Sequence, residues 1–323
     1  MAVYTEVTDD ALRSFLADYE LGDLVAFRGI AEGVENSNYA LKTTAGDFIL
    51  TLYEKRVDPA DLPYFLGLME HLATRGVSCP RPVHGRDGAA LRILAGRHAA
   101  ITTFLPGVWP RTVRLAHCGP LGDALAALHI AGADYPVRRP NALGPDGWAP
   151  LLAGALADDG AAAEALSPGL AEELRSALAR ILADWPEDLP RGQIHADLFP
   201  DNVFFLDGKV SGLIDFYFAA TDFLAYDVAV CLNAWCFETD RSFNITKARA
   251  LLAAYAARRA LTAAELRALP VLAQGAAVRF ALTRLYDWVH TPAGALVTRK
   301  DPRDYVRRLR FHLAATDAAA YGL

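Results

Sequence analysis

The segment HADLFPDN, residues 195–202, sets Asp197 five residues ahead of Asn202, with Pro200 stiffening the loop between them. A second aspartate, Asp215, follows in IDF. Between the two lie VFFL and KVSGLID, flanking Asp207 and Gly208, a pair suited to the two-residue turn of a hairpin because both positions tolerate positive φ. Counting outward from that turn pairs Leu206 with Lys209, Val203 with Gly212 and Asn202 with Leu213. Asp215 then falls diagonal to Asn202, about 7 Å away. A carboxylate, an amide and a second carboxylate converge at the open end of one hairpin. Transfer of a γ-phosphoryl group needs such a set: one carboxylate to orient an attacking hydroxyl and accept its proton, and hard oxygen donors to hold magnesium on the phosphates. Asp197 suits the catalytic task, and Asn202 and Asp215 suit the metal.

Each side chain also has a plainer use. Asp197 and Asp201 could cap the loop, Asn202 could sit in a turn and Asp215 could end a strand. The joint spacing argues otherwise: His195, Asp197, Leu198 and Asn202, then Asp215 and Phe216, is similar to the kinase catalytic signature. His195, two residues before the base, reads as a brace for the loop rather than a second proton acceptor.

Before about Leu105 the chain reads as short strands, VAFRGI, NYALKT and FILTLYE, the last two joined by the turn TAGD. An amphipathic run over 61–74 predicts one helix, with Leu62, Phe65, Leu66, Met69 and Leu72 at helical spacing and Gly76 as its stop. ALRIL and HAAITTF predict two further strands, and then Pro106 and Gly107 break the pattern. Beyond them helices are expected over 118–130, 170–184, 248–259 and 271–290, with one β island at 203–215. The expected fold class is α+β, with a small sheet lobe over 1–105 and a larger helical lobe over 106–323. A cleft between such lobes is the default place for a ligand.

The formal net charge of -6 argues against nucleic acid as a partner, because binding phosphates needs a basic face. The acidic start MAVYTEVTDDALRSFL has no secretory character, and no stretch reaches about 18 uninterrupted apolar residues, so a cytoplasmic protein with no membrane partner is expected. Cys79, Cys118, Cys231 and Cys236 lack metal-type spacing and read as buried small hydrophobes. No feature of the chain specifies an oligomeric state.

Strands, hinge, HADLFPDN and IDF, taken in order, resemble the aminoglycoside phosphotransferase and choline kinase superfamily, and the resemblance spans nearly the whole chain. It implies the two-lobed protein kinase-like fold, ATP as phosphoryl donor and Mg2+ as cofactor. GIAEGVENSNYAL, FILTLYE, LHIAGADYPVRRPNALG and RLYDW look most like the bacterial homoserine kinases of this fold. That likeness implies phosphorylation of the L-homoserine hydroxyl, a step toward threonine. Asp222 and Asp227 look like the superfamily's acidic pair, although Asp227 also reads as a helix N-cap before VAVCLNAWCF.

Within that frame GIAEGVENSN is the loop over the phosphates, with Gly33, Asn36, Ser37 and Asn38 as ATP-binding residues and the Ser37 hydroxyl as a donor. Phe104 and Leu105, beside Pro106, border the adenine. One departure stands out. Kinases of this fold usually carry a lysine on the third strand paired with a glutamate on the next helix, and those slots align here with Thr51 and Phe65. Losing both together is coherent, because one buried charge without its partner costs several kcal/mol. Lys42 and Lys55 are the remaining cations nearby. For a zwitterionic substrate, Arg279, Arg284 and Asp287 share a helix with the apolar Trp288, and Tyr217 floors the site. An intrahelical salt bridge explains the charges equally well. The rivals to a homoserine kinase are a kinase of choline, an aminoglycoside or a sugar, and a non-catalytic binding module on the same fold.

Overall fold

The computed structural model describes residues 5–30, 36–54, 57–157, 160–291 and 299–323. Five strands, β1 (Leu24–Gly29), β2 (Ser37–Thr43), β3 (Gly46–Leu52), β4 (Leu91–Leu94) and β5 (Arg97–Thr103), form one antiparallel sheet in the order β1-β2-β3-β5-β4. The period of two in a strand gives the sheet two different faces. On β3 and β5, Leu50, Leu52, Ala99 and Ile101 turn to a core shared with Leu12, Phe15 and Leu16 of helix α1 (Asp9–Leu16). Sequence reading missed α1, although Thr8 caps it by accepting the Ala11 N–H and Asp9 and Asp10 fill its first turn. Ala100 turns the other way, into the core that contains helix α2 (Leu62–Thr74). Thr51 is paired with Ala100 across the strands and shares its face.

α2 packs as expected, burying Leu62, Phe65, Leu66, Met69 and Leu72. Its core is continuous with that of the helical part, so one apolar body runs under the cleft. After the hinge come α3 (Leu115–Ala131), α4 (Pro145–Ala155), α5 (Ala161–Leu166), α6 (Leu170–Ala183), α7 (Leu224–Trp235), α8 (Ile245–Arg258), α9 (Ala263–His290) and α10 (Arg303–Ala314). α9 is the central post, with α4, α7 and α10 packed around it. It begins eight residues before the expected 271. A capping box between Thr262 and Glu265 starts it, and Pro270 is carried inside the helix, where a proline normally signals an end. No helix among the described residues is long and apolar enough to cross a membrane.

Two short ribbons hold the loops of the site. β6 (Arg191–Ile194) pairs with β9 (Ala220–Phe223), and β7 (Val203–Leu206) pairs with β8 (Lys209–Leu213), all antiparallel. β6 runs directly into the loop that carries Asp197. β6 and β9 were absent from the sequence reading, because four residues are too few to show alternation.

Candidate active site

The β7–β8 hairpin turns at Asp207 and Gly208, with φ of 51° and 75°. Leu206 pairs with Lys209 as counted, but Val203 meets Leu213 and Phe204 meets Gly212. The expected register is therefore wrong by one residue. Ser211 is the extra residue of a bulge between these pairs, and its hydroxyl donates to the Pro106 carbonyl at 2.6 Å. The bulge docks the hairpin on the hinge and brings the Asp215 end one residue closer to Asn202. The Ile214 N–H donates to the Asn202 carbonyl at 3.0 Å, so Asp215 directly follows a residue paired with Asn202. Asp215 itself is left-handed, with φ 65°.

The catalytic loop is braced from below. Asp227, fully buried, accepts the backbone N–H of His195 at 2.7 Å and of Ala196 at 2.8 Å, and faces His129 Nε2 at 3.2 Å. α7 starts at Leu224 with Phe223 as its cap, so Asp227 is not the helix N-cap the sequence suggested. Its carboxylate serves a distant loop instead. Burial alone would push its pKa up; the His129 hydrogen bond and charge, with the His195 contacts, hold it below the ordinary carboxylate value. These bonds fix Ala196 at φ 63°, a left-handed conformation that alanine rarely adopts. His195 is a brace, as expected: its Nε2 meets the Ile214 carbonyl at 2.9 Å and its Nδ1 accepts the Asp197 N–H at 3.3 Å. Burial lowers its pKa, so the ring is neutral. Further along the loop, the Trp235 indole donates to the Leu198 carbonyl at 2.7 Å.

Arg279 completes the cradle. Only 2% exposed, it donates through Nη1 to the Ala196 carbonyl and sets Nη2 3.8 Å from Asp197 Oδ1. The Phe280 and Phe218 rings lie 4.1 and 5.4 Å from its guanidinium carbon. Arg279, expected from the sequence to bind substrate, is engaged here with the Ala196 carbonyl and Asp197 beneath the loop. Arg284, further along α9, donates to the Asp301 carbonyl at 3.3 Å and stacks 4.5 Å from the Tyr305 ring. Burial lowers its pKa. Asp287 lies three residues on, near the end of the helix.

On the sheet side, Gly33 and Lys55 lie outside the described residues. Asn36 accepts the Glu54 N–H at 3.2 Å, and the Ser37 hydroxyl donates to Glu54 Oε1 at 2.8 Å while accepting the Thr5 N–H at 3.0 Å. Ser37 is fully buried, so its hydroxyl is turned inward rather than toward a phosphate. Asn38 accepts from the Thr51 hydroxyl at 2.8 Å. Lys42 is exposed at the opposite end of β2, beside the β2–β3 turn, and is no substitute for the missing strand lysine. At the hinge, Phe104 is exposed and Leu105 packs against Gly212 of the hairpin. Gly107 permits that docking: at φ 124°, a Cβ there would sit 2.8 Å from the Phe205 carbonyl oxygen.

The Thr51 and Phe65 slots are filled by uncharged groups. The hydroxyl oxygens of Tyr53 and Tyr217 are 3.1 Å apart, and the Tyr217 ring stands edge-on to Tyr53 and Phe65 with centroids at 5.3 and 5.7 Å. Tyr217, expected as the floor of the site, thus links the sheet to the loop that follows Asp215. Asp222 ties Asn141 and Arg191, at 2.9 and 3.4 Å.

The donor chemistry fits a hard divalent cation. Asn202 spends its Nδ2 on the Asp197 carbonyl at 2.8 Å and on Oδ2 of the same residue at 3.2 Å, which leaves the amide oxygen for a metal. Asp197, Asn202 and the Ile214–Asp215 step are held together by one set of hydrogen bonds.

Residues 26–261 match the Phosphotransferase enzyme family. The chain is 71% identical over 323 residues to a homoserine kinase of Granulibacter bethesdensis and 70% identical over 323 residues to one of Acidiphilium cryptum, covering 100% of each chain in both comparisons. Among solved structures, an amicoumacin kinase in complex with AMP-PNP, Ca2+ and Ami aligns with a TM-score of 0.66 over 94% of this chain and 91% of that one, at 15% identity. This last likeness concerns the fold.

Proposed function

Because the chain belongs to the phosphotransferase enzyme family, we propose that it is a homoserine kinase, transferring the γ-phosphoryl group of ATP to the side-chain hydroxyl of L-homoserine. Relatives of that name match it from end to end. The observation that carries the chemistry is the single unit formed by Asp197, Asn202 and the Ile214–Asp215 step.

In this reading Asp197 accepts the hydroxyl proton as the substrate oxygen bonds to the γ-phosphorus and the bond from that phosphorus to the β-bridging oxygen breaks. Arg279 and Asp227 hold the loop so that the carboxylate meets the hydroxyl in line. Asn202 Oδ1 and Asp215 would hold Mg2+, which supplies charge neutralisation on the phosphates. Adenine lies along the hinge at Phe104 and Leu105, at the boundary we draw after residue 105. Backbone N–H groups near Asn36 and Asn38 serve the phosphates. With Arg279 sealed away, Arg284 and Asp287 are our assignment for the carboxylate and ammonium of homoserine.

An acceptor panel assayed with ATP and Mg2+ tests the substrate. Turnover of homoserine is expected. Phosphorylation of choline or an aminoglycoside without homoserine would overturn the proposal.

A further inference from the structure

Most kinases of this fold tie the third strand to the next helix with a buried lysine–glutamate pair, which also sets the nucleotide against the metal aspartate. Here both charges are gone, and the space they would fill holds a hydroxyl and ring cluster. We propose that the Tyr53–Tyr217 hydrogen bond is the interlobe tie of this enzyme, positioning Asp215 for the metal–nucleotide complex in place of that ion pair. The inference rests on the kinase reading above and deepens it.

Three elements meet at the Tyr217 ring. Tyr53 comes directly off the end of β3, and its hydroxyl is 3.1 Å from that of Tyr217. Phe65, in the glutamate slot of α2, presses edge-on against the same ring, 5.7 Å between centroids. Thr51, in the lysine slot, gives its hydroxyl proton to Asn38 at 2.8 Å. Tyr217 is two residues past Asp215, in the short turn Phe216–Phe218 that Asp215 opens, so anchoring its ring restrains the turn that carries Asp215.

The replacement is sound physically. A buried ion pair recovers its desolvation cost only with excellent geometry, and packed neutral groups of similar volume often do as well. Edge-on aromatic contacts and one hydroxyl bond supply direction as well as cohesion. The tie joins the sheet to the loop that follows Asp215 rather than strand to helix within one lobe.

The test uses the full chain and calorimetric binding of ADP, with Mg2+ and with EDTA. Tyr53→Phe and Tyr217→Phe each remove one hydroxyl and keep the ring. Each is expected to weaken Mg2+·ADP binding by about fivefold to tenfold, the loss of one oriented hydrogen bond, with ADP binding in EDTA unchanged. The double variant should be no weaker than either single, because both remove the same bond. Tyr135→Phe, which loses a bond to the Tyr64 carbonyl elsewhere in the core, should bind Mg2+·ADP like the parent. Equal binding by parent and Tyr217→Phe, or a double loss equal to the product of the singles, overturns the tie. A parent that binds no Mg2+·ADP overturns the kinase reading and the tie with it.

Discussion

Arg279 and Asp197 form an ion pair at 3.8 Å in which the arginine is sealed and the aspartate faces the cleft, at 2% and 17% side-chain exposure. The same guanidinium holds the Ala196 carbonyl, so one buried cation fixes both the backbone and the carboxylate of the catalytic loop. Removing it takes away one of the side chains that hold the Asp197 carboxylate, Asn202 being another, and leaves the Ala196 carbonyl without its arginine donor. Arg279→Met should lower kcat by about 100-fold, the scale of a misplaced reacting group, while KM for ATP stays within about twofold. Steady-state kinetics check this. An effect confined to KM for homoserine would return Arg279 to the substrate pocket.

Asp197 makes a separate prediction, because in the proposed reaction its carboxylate accepts the hydroxyl proton. Asp197→Asn preserves shape and the contact to Asn202 but accepts no proton. The expected fall in kcat is on the order of 10^2–10^4-fold, the usual contribution of general base catalysis, with Mg2+·ADP affinity near that of the parent. A variant that turns over as fast as the parent removes Asp197 from its role.

What the sequence discloses follows the physics of each feature. HADLFPDN and IDF are legible because phosphoryl transfer fixes residue types at short spacings. The sheet is legible because its strands are long enough to alternate. The bulge at Ser211 is not, since nothing local distinguishes an unpaired serine from a paired one; its reason is Pro106, more than one hundred residues away. Asp227 reads as a cap because its partners, the N–H groups of His195 and Ala196, lie some thirty residues upstream. The missing lysine–glutamate pair is visible as Thr51 and Phe65, but what replaces it is not, because Tyr53 and Tyr217 meet only when the two lobes do.

Asp227 supplies the third prediction. Its two oxygens satisfy two buried N–H groups, and removing them would leave those donors without partners and His129 without its acceptor. Asp227→Ala should cost about 3 kcal/mol or more of stability, the penalty for breaking a buried hydrogen-bonded charge, and should lower kcat as the loop loosens. Denaturant unfolding measures the first effect. Full stability with lost activity would instead make Asp227 a participant in the chemistry.

The last prediction concerns pH and lies outside the cleft. His312 of α10 is fully buried between the Tyr321 hydroxyl at 3.0 Å and Asn233 Oδ1 at 3.2 Å. Burial, with the Arg308 charge adding to it, pushes its pKa down to about 3. An unfolded histidine titrates near 6.5, so between these values the unfolded chain binds a proton that the native chain does not. Stability from this group is complete above about pH 6.5 and is lost as pH falls toward 3. At pH 5 the loss is on the order of 2 kcal/mol, from a gap of about 1.5 pH units below the unfolded value. His312→Gln removes the titration, so its unfolding free energy should fall less between pH 7 and pH 5 than that of the parent, even if it starts lower. Urea unfolding of both proteins at the two pH values decides it: parallel losses would mean that His312 takes up a proton in the folded state.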